Sequence, residues 1–72
     1  MKIEYEPKHD IMNIEFIEDA EIEESIEVEG VIIDYTKGRK IASIEILDAG
    51  KRTSPKPLEA ISVTVMREKV KA

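Results

Sequence analysis

"EIEESIEVEGVIIDYTKGRKIASIEIL", residues 21–47, holds three apolar runs separated by two glycine-containing turns, and its reading decides the fold. In the first run Ile22, Ile26 and Val28 alternate with Glu21, Glu23, Ser25, Glu27 and Glu29. A helix would scatter those three aliphatics over too wide an arc to form a stripe, so the period is two and the segment is a strand. Glu24 alone breaks the alternation, which predicts a β-bulge near Glu23-Glu24 or a break between two short strands. Gly30 marks a turn, Val31-Ile32-Ile33-Asp34-Tyr35 is a compact β-branched strand, and Thr36-Lys37-Gly38-Arg39 has the length and glycine of a hairpin loop. Residues 40–47 return beside it, with Ala42, Ile44 and Ile46 on one face and Ser43 and Glu45 on the other.

Toward the N-terminus, Ile3 and Tyr5 alternate with charged residues until Pro7-Lys8-His9-Asp10 stops the ladder. Met12, Ile14 and Phe16 then share a face, with Phe16 expected in the core. Ile11 and Ile17 lie opposite, as in a central strand covered on both sides. Toward the C-terminus, Asp48 is placed to N-cap one helical turn over Ala49-Gly50-Lys51-Arg52, and Thr53-Ser54-Pro55-Lys56-Pro57 forms a stiff connector. Residues 58–70 fit two patterns. Ile61, Val63 and Val65 alternate with Ser62, Thr64 and Met66 as in a strand, while Leu58, Ile61, Val65 and Val70 have helical spacing; the strand is preferred. The expectation is a mainly β single domain over residues 1–72, an antiparallel meander of five or six short strands forming a roll or open barrel. One short helical turn falls near 48–52, and residues 53–72 form a connector and a C-terminal strand or arm.

Seventy-two residues with no cysteine and one histidine leave little room for a self-sufficient core and no disulfide to reinforce it. Self-association is the reinforcement that remains, so a homodimer is expected. No stretch approaches the ~20 apolar residues of a membrane span, and no apolar leader opens the chain, so a cytoplasmic location is expected. A charged fraction of 38% with no Gln and one Asn fits a thermophilic source. The net charge of −5 hides an asymmetry: residues 1–36 carry twelve acids against two lysines, and residues 37–72 carry nine cations against four acids. Cross-strand pairing between the halves is the expected compensation.

The chemistry that these residues exclude is broad. His9-Asp10 has no further histidines or cysteines to complete a metal site, and no hydroxyl or thiol is paired with a base in sequence. No glycine-rich phosphate loop is present. A catalytic cavity of ~300 Å³ would consume much of so small a core. No catalytic residue, metal or cofactor is therefore assigned. Nucleic-acid binding through Lys37, Arg39, Lys40, Lys51, Arg52, Lys56, Arg67, Lys69 and Lys71 is the alternative. Against it stand a pI near 4.8 and only three aromatics, none in an obvious stacking array. The preferred reading is a protein-interaction module, because a small sheet has edges that recruit strands. Glu21, Glu23, Glu27 and Glu29 would offer an acidic surface to a basic partner, and Asp34, Asp48, Lys51 and Arg52 complete the candidate binding set.

Two stretches, "MKIEYEPKHDIMNIEF" and "EVEGVIIDYTKGRKIASIEILDAGKR", resemble a family of small prokaryotic domains of unknown function with an M-K-I-x-Y-D-P start and a G-I-E-I-L-D-A-S-K-R ending. The resemblance spans about residues 1–52. It implies a small β domain, and an antitoxin-like role for those members found in gene pairs of toxin–antitoxin appearance. Glu6 and Gly50 stand where the family more often has Asp and Ser, which weakens any functional role for a hydroxyl in that turn.

Overall fold

The computed structural model describes residues 1–53 and 58–68. Five strands form one antiparallel sheet: β1 (Lys2–Glu6), β2 (Ile11–Glu15), β3 (Ile22–Val28), β4 (Val31–Thr36) and β5 (Ile41–Leu47), followed by a short helix α1 (Ala49–Thr53). The spatial order is β1-β2-β5-β4-β3, so β5 is the central strand and, among the described residues, the outer edges of β1 and β3 have no strand paired to them. Three neighbouring pairs are joined by short turns. The fourth, β2 with β5, is made when residues 16–21 carry the chain past β5 and β4 to start β3 at the far edge. This is the open mainly β architecture that the alternating residues imply.

Local chemistry sets each corner. The β3–β4 hairpin turns on Glu29 and Gly30, both left-handed at φ 48° and 82°, the two-residue geometry whose twist matches that of the strands. A Cβ on Gly30 would run into the Arg52 guanidinium, which donates from Nη2 to the Glu29 carbonyl and from Nε to the Leu47 carbonyl at 2.8 Å. Arg52 thus ties α1 to the hairpin and to the end of β5. Gly30→Ala is expected to cost about 1–2 kcal/mol, from a side chain in the left-handed region and displacement of that arginine, read as a lower urea midpoint with unchanged slope. In the β4–β5 turn the left-handed residue is Arg39, at φ 63°, while Gly38 does not use its freedom. Arg39 is held there by its side chain, which stacks 5.0 Å over the Tyr35 ring and pairs with Glu24 at 2.6 Å.

The expected bulge is present: the β3–β4 register shifts between Ile22 and Glu24, which leaves Glu24 exposed beside Arg39. Three expectations are corrected. Phe16 is 42% exposed and not part of a core, because it lies just past β2 at the sheet margin, where its N–H and that of Ile17 both bond the Ala42 carbonyl. Asp48 is not the side-chain cap of α1: its φ is 53°, its carboxylate lies 3.9 Å from Lys51 Nζ, and the Gly50 N–H is taken by Asp10. Residues 58–68 form neither strand nor helix, since no edge of the sheet is paired with them; residues 69–70 of that segment lie outside the described residues.

Candidate functional site

The register stacks side chains into rows that cross the whole sheet. Ile3, Ile14, Ile44, Ile33 and Ile26 are successive cross-strand partners, one from each strand. The next row on the same face is Tyr5, Met12, Ile46, Val31 and Val28. On the opposite face the corresponding rows are Lys2, Glu15, Ser43, Asp34, Ser25 and Glu4, Asn13, Glu45, Ile32, Glu27. One face is thus aliphatic from edge to edge and the other mostly polar, which follows from the period-two pattern once all five strands are in register.

Among the described residues no second sheet or long helix is present to cover the aliphatic face, and residues 58–61 approach it at Tyr5 on the β1 margin. Among the described residues the fully buried apolar ones are Ala42 and Ala49, and no large side chain is fully buried. Ile26 and Val28 are 37% and 55% exposed, and the inner members of the rows are only half-buried. A single layer cannot bury its own face, so among the described residues this surface lacks a second layer as its counterpart.

The acidic candidates Glu21, Glu23, Glu27 and Glu29 all lie exposed along β3 or at its ends, on a sheet edge. Charge on an edge strand discourages indiscriminate strand addition, which gives these residues a structural reason to be there. Among the described residues one ion pair joins the acidic and basic halves, Arg39 with Glu24. The remaining candidates are not brought together. Asp34 sits in β4 opposite Ser43, whereas Asp48 and Lys51 lie beyond the end of β5, about 16 Å further along at strand spacing. The cations likewise divide between the two ends of β5: Lys37, Arg39 and Lys40 before it, Lys51 and Arg52 after it.

Two polar centres brace the sheet. Asp34, 9% exposed, accepts from Ser25 Oγ at 2.5 Å and Ser43 Oγ at 2.7 Å, so both its oxygens are used by the flanking strands. Asp10 is the second, and local sequence reasoning misses it because its partners lie far along the chain. Its Oδ1 accepts from the Tyr5 hydroxyl at 2.6 Å and from the Gly50 N–H at 2.8 Å, while its carbonyl accepts from the Ala49 N–H at 3.0 Å. The β1–β2 turn therefore supplies the cap for α1.

The Tyr5 hydrogen bond, followed by that of Gly50, holds the Asp10 carboxyl below its ordinary 3.8, and the same bond raises the Tyr5 phenol above 10. A lowered carboxylate pKa contributes stability present above 3.8 that is lost as pH falls through the folded value. A raised phenol contributes stability below 10 that is lost as pH rises beyond it. Asp10→Ala is expected to lower Tm at pH 7 and to flatten the decline in Tm between pH 4 and pH 2, as followed by circular dichroism. An unchanged acid limb would show that Asp10 carries no such linkage.

Among the described residues no group of three His, Cys, Asp or Glu is arranged to hold a metal ion, and no helix is long and apolar enough to cross a membrane. The class that these features define is a single-layer antiparallel β domain with one aliphatic face that no second layer of the described residues covers. Residues 2–49 match the model of a protein family of unknown function, DUF2283, and the chain belongs to that family. No curated protein and no solved structure matches the chain.

Proposed function

We propose that the protein is a non-enzymatic protein-interaction module that operates as a homodimer, two copies stacking their aliphatic sheet faces. The observation that carries this reading is the edge-to-edge aliphatic face, with no large side chain fully buried among the described residues. Water would otherwise face one contiguous aliphatic surface, and stacking two sheets ~10 Å apart is the direct way to remove it.

The β3 edges would then stand at the rim of the sandwich with their carboxylates outward. A basic protein is the partner that this rim suits, in the antitoxin-like manner, with charge accelerating encounter more than setting affinity. Nucleic acid is the weaker alternative, because the cations split between the two ends of β5 and Arg52 is committed to backbone carbonyls. Light scattering at low and high salt, alone and with basic proteins encoded beside it, tests both levels. A salt-resistant dimer supports the stacked faces, and salt-sensitive capture of a basic neighbour supports the rim. A monomer at all concentrations contradicts the module as described.

A further inference from the structure

Residues 61–66 have a strand's alternation and no strand to pair with: Ile61, Val63, Val65 and Met66 are 44%, 61%, 86% and 89% exposed. The same sheet has two unpaired edges. Resting on the homodimer reading above, we propose that this segment is an exchanged arm, adding a sixth strand to the β3 edge of the second copy.

The exit point of the arm selects that edge. Residues 58–61 line one shallow hollow together with Tyr5, so the arm leaves the sheet at β1. β1 and β3 are opposite edges of one sheet. When two such sheets stack about a two-fold axis parallel to the strands, β1 of each copy lies over β3 of the other. The layers are ~10 Å apart, a gap that residues 58–60 span at ~3.3 Å per residue. Residues 61–66 then run level with the partner's β3, where addition to an exposed edge satisfies backbone groups that otherwise face water.

Charge and area agree with this placement. Residues 21–29 carry five glutamates and no cation, whereas residues 61–66 carry no charge. Adding that strand to the most acidic edge therefore sets no like charge against the glutamates, whose carboxylates, standing off the sheet faces, stay available at the rim. Five strands ~4.8 Å apart, with rows two residues apart, present a projected face of roughly 400 Å², about half of the ~800 Å² per partner in an interface of standard size. Exchanged arms supply the remainder.

The chain has no cysteine, so single-cysteine variants report pairing cleanly. Val63→Cys is mixed with Glu23→Cys or Glu27→Cys and mildly oxidised, and a variant ending at residue 60 is compared with the full chain for dimer dissociation. Mixed disulfides far exceeding those of either variant alone, with dissociation at least tenfold easier after truncation, are expected. A dimer that survives truncation unchanged and forms no mixed disulfide overturns the exchange while leaving the stacked faces standing. Disulfides within one chain between Val63→Cys and Glu4→Cys, in a double variant, also overturn it by placing the arm on its own β1. A full-length chain that is monomeric throughout removes the stacked dimer and this inference together.

Discussion

Ile44→Asp is expected to dissociate the dimer and leave the chain largely unfolded at 25 °C. Ile44 is central in both directions: it lies on the middle strand and is the cross-strand partner of Ile14 on one side and Ile33 on the other. In a lone sheet an aspartate here would keep water above it and cost on the order of 1 kcal/mol of lost apolar contact. Under a second sheet the carboxylate would have no water and no cation, a penalty of several kcal/mol against a stability that is small for a domain of this size. The same logic separates Ile44→Ala, expected to cost about 2–4 kcal/mol if the site is covered, from Val28→Ala at the 55% exposed rim, expected below about 1 kcal/mol. Urea unfolding, with light scattering of each variant, reads both quantities. An Ile44→Asp chain that stays folded and dimeric would place the second copy elsewhere.

The second large effect is on the polar face. Asp34→Ala removes the acceptor of both Ser25 and Ser43, and hydrogen bonds to a charged acceptor are each worth about 1.5–3 kcal/mol. Since the two hydroxyls can turn to other acceptors, the expected loss is about 2–4 kcal/mol in urea unfolding. Association should survive, because Asp34 faces away from the aliphatic rows. Asp34→Asn keeps an acceptor and is expected to lose less. If a triple variant with Val at 34 and Ala at 25 and 43 is as stable as the parent, the carboxylate serves strand register more than stability. A change within about 0.5 kcal/mol for Asp34→Ala would contradict its role as a brace.

Strands were legible wherever the residues alternate, and even the bulge at Glu24 announced itself by breaking the alternation. What escaped sequence reading shares one cause, partners distant along the chain. Nothing local says that Ile14 pairs with Ile44, so the order of the sheet, and with it the continuity of the aliphatic face, emerges only in three dimensions. Asp48 satisfies the rule for a helix cap, yet Asp10, forty residues earlier, reaches the Gly50 N–H first because the β1–β2 turn is held against α1. Arg39 takes the left-handed position beside a glycine because Tyr35 and Glu24 fix its side chain. Phe16 looked like core because it continues the face of Met12 and Ile14, but a single layer has no core to receive it. The C-terminal alternation was read as a strand, and within one chain it has no partner.

The edge glutamates illustrate how one pattern serves two ends. On β3 they keep an exposed ladder from pairing at random, and in the proposed assembly the same carboxylates would face a basic partner. With no cysteine, such a chain is stabilised without disulfide cross-links.

The most direct test of the stacked faces is an isotope-filtered NOE spectrum of a dimer prepared from equal parts of isoleucine-methyl-labelled and unlabelled chains. Cross-peaks between copies are expected among the methyls of Ile14, Ile33 and Ile44. Their absence in a sample shown to be dimeric, with those methyls instead broadened by a water-soluble paramagnetic agent, would contradict the account.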